Sequence, residues 1–377
     1  MKIVVATDSF KGSLSSQDAG NAIRDGLQKA DPSAEILVIP VADGGEGTTD
    51  ALIGALNGTV RTVCVTGPYG DPFNASYGLV PEQRMAVMEM ASAAGITLCS
   101  RREPLCASTF GVGEMIRDAI AQGCRNFLLG IGGSATNDGG TGMLTALGYQ
   151  FFDQEGAELP PIAASLGKIA KIGTDQVLSA LKGCRFQIAC DVRNPLCGPQ
   201  GCTSIFGPQK GVSEAQIPEL DSAMQHYAEI VAQTFHADNS QVPGAGAAGG
   251  LGFAFLSFLH GTLRPGIDLV LETVKLEETL QDADLVITGE GALDGQTIFG
   301  KTPVGVAARA KKYQVPVIAL AGCIRPGAEL CNQHGIDAFF PIVPGITTLE
   351  EAMQPQTAWR NLSHTAQQVL QLVLCFL

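Results

Sequence analysis

The sequence predicts an α/β fold: a doubly wound parallel-sheet domain formed by both chain ends, with a mixed α/β domain inserted between them. Three observations predict it. A short apolar run followed by a helical pattern occurs twice at the start of the chain and again near its end. Apolar runs in between follow one another through turn signals such as GPYGDP, which suit hairpins better than crossovers. Several apolar runs also feed loops that pair glycine with a carboxylate. In open α/β sheets such loops lie outside the carboxyl ends of the strands, where ligands bind.

The elements follow in chain order. Apolar residues 3–6 read as a buried strand, and SSQDAGNAIRDGLQKA follows with helical spacing and Ser at its start. Residues 36–40 give a second strand, then the loop ADGGEG, then the helix TTDALIGAL. This βαβα alternation implies a parallel sheet covered by helices. Residues 60–66, 75–79 and 85–89 read as hairpin strands. Residues 127–130 and 186–190 are strands that each run into a glycine-rich loop, and residues 213–236 form a long helix. PGAGAAGGLG is a loop-to-helix turn, because it leads into an apolar helix. The first pattern then returns: strand 285–288, helix 303–313, and strands 317–321 and 338–342. The apolar end VLQLVLCFL reads as a docked helix. The expected division is 1–60 plus 281–377 for the discontinuous domain and 61–280 for the insert.

Composition narrows the function. With 377 residues and 45% hydrophobic content the chain can build two cores. A net charge of −13 argues against a nucleic-acid partner. MKIVVATDSF does not read as a signal peptide, since Asp8 interrupts its short apolar run. No stretch approaches the ~18 apolar residues of a membrane helix. The eleven cysteines are expected as free thiols. Cys184, Cys190, Cys197 and Cys202 lie close in sequence, but no C-x-x-C pair and no nearby His makes a zinc site of them.

Five loops carry candidate chemistry. ATDSFKGSLSS offers Asp8, Ser9 and Lys11, and ADGGEGT offers Asp43, Gly44, Gly45 and Glu46. GIGGSATNDGG offers Gly132, Gly133, Ser134, Asn137 and Asp138. CDVRNPLCG offers Asp191, Arg193 and Asn194, and TGEGALDGQTIFGK offers Glu290, Asp294 and Lys301. Glycine lets backbone N–H groups approach phosphate, and carboxylates hold Mg²⁺ or take a proton. Each loop has a plainer reading too, since Asp and Gly are ordinary turn and cap residues.

Two short motifs compete. GIGGSA with Asp153 fits the dinucleotide fingerprint of a nicotinamide oxidoreductase, but none of the five His lies near these loops to serve hydride transfer. GQTIFGKT fits the P-loop pattern. Against that, the strand is read as ending near Thr288, which leaves GEGALD and its two carboxylates ahead of Gly295. Pro303 suits the first turn of a helix that starts after the motif. The expectation is phosphate contact by Lys301 without a P-loop fold.

Taken together, DSFKGSLSS, VADGGEGT, GIGGSATNDGGTGMLTALG, ACDVRNPLCGPQG, IFGPQKG, VPGAGAAGGLG, RPGID and VITGEGALDGQTIFGKTPVGVA resemble the bacterial glycerate kinase family that includes the glycerate 2-kinases. The resemblance runs from Met1 to about Ala338. It implies ATP-dependent phosphorylation of D-glycerate with Mg²⁺ in the cytoplasm, and a Rossmann-like domain interrupted by a second α/β domain. A kinase of another small hydroxy acid is the nearest alternative. On this reading Asp191 is the leading general base with Asp8 in reserve, and Lys11 and Arg193 neutralise the glycerate carboxylate or the moving phosphoryl group. Ser9, Asp43, Gly44, Gly45 and Asn194 are assigned to glycerate. Gly132, Gly133, Ser134, Asn137, Asp138 and Lys301 are assigned to the nucleotide, and Glu290 and Asp294 to Mg²⁺. Lys210 in FGPQKG reads equally as an anion contact or a surface Lys. The partners are small molecules; an oligomer is compatible with the sequence, and no membrane or nucleic acid is expected.

Overall fold

The computed structural model describes residues 1–376. Its strands, in chain order, are β1 (Lys2–Thr7), β2 (Glu35–Val38), β3 (Thr59–Thr66), β4 (Pro72–Val80), β5 (Met85–Glu89), β6 (Asn126–Gly130), β7 (Gln150–Phe152), β8 (Lys171–Gly173), β9 (Arg185–Ala189), β10 (Thr262–Arg264), β11 (Leu285–Leu293), β12 (Val317–Ile324) and β13 (Ala338–Pro341). They belong to two compact units, one made of Met1–Asn57 and the chain from Pro265 onward, the other of Gly58–Arg264.

The first unit carries a fully parallel sheet in the order β13-β12-β11-β1-β2. On one face Ile3, Val5, Ile287 and Leu320 are buried with Ile23 and Leu27 of helix Ser16–Ala30 and Leu362 and Leu370 of helix Pro355–Leu374. The two helices meet so closely at Gly26 that a Cβ there would stand 2.0 Å from the Ser363 carbonyl oxygen. The other face is covered by helix Thr302–Lys311, which buries Val306, Ala307 and Ala310. Helices therefore lie on both faces, the doubly wound arrangement.

From β1 the chain steps outward to β2, and from β11 it steps outward the other way to β12 and β13. The β1/β11 junction is thus the point where the strand order reverses. The register Thr7↔Gly289 sets Asp8 and Glu290, the next residue of each strand's path, side by side at that point.

Two readings from sequence change. Strand β11 continues to Leu293 instead of ending near Thr288, because Glu290, Ala292 and Leu293 keep pairing with β12. The helices Gly266–Thr273 and Leu276–Leu280 belong to the first unit, although residue 281 was expected to open it. The reason is packing: a Cβ on Gly305 would lie 2.3 Å from Ile267, so the apolar side of the earlier helix seats directly on helix Thr302–Lys311.

The second unit has a six-stranded sheet in the order β10-β9-β6-β5-β4-β3. β3, β4 and β5 form antiparallel hairpins, and β5, β6, β9 and β10 run parallel. Gly130 pairs with Ala189, so the loops that follow β6 and β9 leave one sheet edge as neighbours. The glycine-rich turn before Leu251 is left-handed at Ala248, Gly249 and Gly250. Gly249 brings it against the loop after β6, where a Cβ would come within 2.1 Å of the Thr136 carbonyl.

Candidate active site

In the first unit the predicted residues converge on the strand-order reversal. A cavity of about 1010 Å³ opens there, lined at one end by Asp8, Lys11, Asp43, Glu290, Asp294 and Lys301. Asp8 is 4% exposed. Its Oδ1 accepts the Ser9 N–H at 2.7 Å and its Oδ2 accepts the Thr302 hydroxyl at 2.7 Å. Burial, joined by the nearby Asp43 charge, raises its pKa to about 6 against the pull of those two donors.

Glu290 is 8% exposed and accepts the Thr297 hydroxyl at 2.7 Å. Burial pushes its pKa to about 7, with Asp8 and Asp294 adding repulsion and Lys301 opposing it. The Lys301 ammonium stands 3.4 Å from Asp294 Oδ1 and 3.9 Å from Glu290 Oε2. Burial works against ionisation of Asp294 too, but the Gln296 N–H at 2.8 Å and the Lys301 charge hold it below the usual carboxylate range. Asp43 folds onto its own loop, accepting the Gly45 N–H at 3.0 Å. Gly44 takes φ +93°, a value glycine adopts without strain.

This is not a P-loop arrangement. Asp294 is the single residue between β11 and Gly295, and the segment then turns through a short 3-10 stretch, Thr297–Phe299. The P-loop Lys position is occupied by Lys301, which faces two carboxylates of its own chain. Thr302 donates its hydroxyl to Asp8.

The other predicted residues lie in the second unit. Gly132 and Gly133 are exposed beyond β6, with Gly133 at φ +71°. Ser134 is buried and bridges to Gly95. Asp138 is fully buried, and its carboxylate accepts the Thr109 N–H and hydroxyl and the Gly140 and Gly142 N–H groups. Those four donors, three of them on Oδ2, make Asp138 a knot of the fold. Asn137 donates to Thr203 Oγ1 at 3.0 Å, while its own Oδ1 is buried without a partner, as is Thr136 Oγ1. Asp191 and Arg193 are exposed beyond β9, and Asn194 donates to the Gln200 carbonyl at 2.9 Å.

The glycerate kinase family model matches residues 3–374. The chain belongs to the glycerate kinase family. It is 47% identical to a glycerate kinase of Bacillus subtilis (strain 168) over 94% of this chain and 93% of that protein. It is equally 47% identical to a glycerate 2-kinase of Escherichia coli (strain K12), with the same coverage. A crystal structure assigned to glycerate kinase 2 from Salmonella typhimurium LT2 superposes with a TM-score of 0.91 at 42% identity, covering 100% of this chain and 98% of that one.

Within this glycerate kinase family member, sequence reasoning passed over two residues. Thr302 was read as the last residue of the P-loop-like motif, yet it is the donor that fixes Asp8. Lys210 was left as a possible surface side chain. It is 2% exposed and its ammonium donates to the Thr136 carbonyl at 2.6 Å. The helical spacing around Lys210 gave no signal of burial, because the partner comes from a loop 74 residues away.

Proposed function

We infer that the chain transfers the γ-phosphoryl group of ATP to D-glycerate, at the 2-hydroxyl, giving 2-phosphoglycerate. Family membership carries the reaction class. The observation that supports a working centre is the cluster of Asp8, Glu290, Asp294 and Lys301 in one cavity at the strand-order reversal.

Phosphoryl transfer to an alcohol needs an in-line pose, charge neutralisation and a proton acceptor. Asp8 suits the last task best. Its pKa of about 6 leaves it ionised at neutral pH yet basic enough to take a proton, and two hydrogen bonds fix its carboxylate. Asp191 lies in the second unit, exposed beyond β9. Lys11 and Lys301 supply positive charge at the cavity.

The donor set fits Mg²⁺. Glu290 and Asp294 offer hard carboxylate oxygens, and no group of three or more acidic, His or Cys side chains among the described residues forms a cage. Mg²⁺ is typically held by one or two carboxylates together with substrate phosphates and water. Bound there, the ion would neutralise phosphate charge; Glu290 and Asp294 would hold it, with Lys301 released toward the nucleotide.

The experiment is incubation of the purified protein with ATP, Mg²⁺ and D-glycerate, with ADP release coupled to a readout and the product identified by phosphorus NMR. The expected product is 2-phosphoglycerate. Rapid turnover of another hydroxy acid with none of glycerate would overturn the substrate, and no ADP with any acid would overturn the kinase.

A further inference from the structure

The cavity in the first unit has two chemically different halves. One is the charged end already described. The other is walled by Ile324, Ile342, Val343, Leu349, Ala352 and Met353. Glycerate has three carbons and each bears oxygen, so it has no apolar face to lay against such a wall. The phosphates and the metal belong at the charged end for the same reason. The one part of the two reactants with a broad apolar surface is the purine of the nucleotide.

We propose that the apolar half of this cavity is the seat of the purine base, with the triphosphate running from it toward Lys301 and Asp8. This rests on the kinase reading above and adds where the nucleoside binds. Three further observations support it. The volume, about 1010 Å³, reaches the upper end of small-ligand sites, roughly 300–1,000 Å³, and far exceeds what glycerate needs. Leu349 lies in the lining and is 76% exposed, an apolar side chain with nothing over it. Arg325, also exposed, lines the same cavity and can stack its guanidinium on an aromatic ring.

The wall is a built feature. Leu349 opens the short helix Leu349–Met353, which is fixed by a reciprocal cap between Thr348 and Glu351. Met353 reaches back to the turn after β1, where a Cβ on Gly12 would come within 2.7 Å of its Cε. The short helix therefore packs on the loop that carries Lys11.

The test uses the intact enzyme with Leu349→Asp and Ala352→Trp. The first puts a charge where the base would lie; the second fills the space. Each should raise the KM for ATP more than tenfold and move the KM for glycerate less than twofold. An unchanged KM for ATP in either folded variant, or a rise confined to glycerate, overturns the proposal. Leu349 is exposed, so Leu349→Asp tests the site even if the Trp variant fails to fold. Equilibrium binding of a fluorescent N-methylanthraniloyl ATP gives a second reading that needs no turnover. Wild-type binding weakened more than tenfold by Leu349→Asp upholds the purine seat even if glycerate proves not to be the acceptor. Equal binding by wild type and variant removes it.

Discussion

The Thr302 hydroxyl donates to Asp8 Oδ2 at 2.7 Å, joining the first residue of a helix to the first residue beyond β1 across 294 positions of sequence. Both residues are buried, so the bond is shielded from competing water. It makes Thr302 a positioning residue for the proposed base.

Thr302→Val should therefore do more than remove a helix-end contact. Loss of the donor frees one Asp8 oxygen and removes a bond that favours its ionised form. We expect kcat/KM to fall at least tenfold and the acid limb of the pH–rate profile to move upward. Thr302→Ser should recover both. A Val variant with wild-type rate and an unmoved acid limb would remove Thr302 from the mechanism.

Asp8→Asn should abolish general-base catalysis, a loss on the order of 10²–10⁴-fold, and should also stabilise the fold. Asp8 titrates near 6 in the folded protein and near 3.8 unfolded. Its folded pKa is the higher, so stability falls as pH rises from about 4 to about 6 and the full cost, about 3 kcal/mol, persists above that. Melting temperatures taken without nucleotide or divalent cation should show Asp8→Asn above wild type at pH 7.5, with the gap closing toward pH 4. A variant that is less stable at pH 7.5 counts against the burial account.

Glu290→Gln should weaken Mg²⁺ binding. At fixed ATP, the Mg²⁺ concentration for half-maximal rate should rise at least tenfold. Unchanged Mg²⁺ activation would move the metal to other ligands.

Lys210 tests the second unit. Burial lowers its pKa to about 8, with Cys202 and Asp138 as the neighbours that partly sustain its charge. Its folded pKa lies below the unfolded value of 10.5, so between pH 8 and pH 10.5 the unfolded chain holds more protons. Wild type should gain stability across that window, by up to about 3 kcal/mol, relative to Lys210→Met. Denaturant titrations at pH 7.5 and pH 10 measure the difference, and parallel curves would mean that Lys210 is not desolvated.

How much of this was legible beforehand differs by feature. The parallel sheet of the first unit was readable because each strand is a short apolar run followed by a loop with its own signature. Asp8, Glu290, Asp294 and Lys301 were readable as candidates for the same reason. The end of β11 was not. GEGAL looks like loop by composition, and only pairing of Glu290, Ala292 and Leu293 with β12 makes it strand. The part Asp138 plays in anchoring its own loop was not legible, because a buried carboxylate that gathers backbone N–H groups has the same local sequence as one that faces a ligand. The Thr302–Asp8 bond and the burial of Lys210 depend on partners far away in the chain, which no local pattern encodes.

The pairing of β1 with β11 also sets an order of events during synthesis. Ile3 and Leu285 are register partners, so the central pair of the first sheet cannot form until β11 has left the ribosome. The second unit is one continuous segment, Gly58–Arg264, and its strands are all available before that moment. Domains that fold as units during translation do so in the order they emerge. The inserted unit is then the first to acquire its core, while β1, which can pair only with β2 until then, waits with its other edge open for a partner some 280 residues downstream. That edge stays open through the synthesis of the whole inserted unit, which makes the amino-terminal strands the segment most in need of protection on the nascent chain.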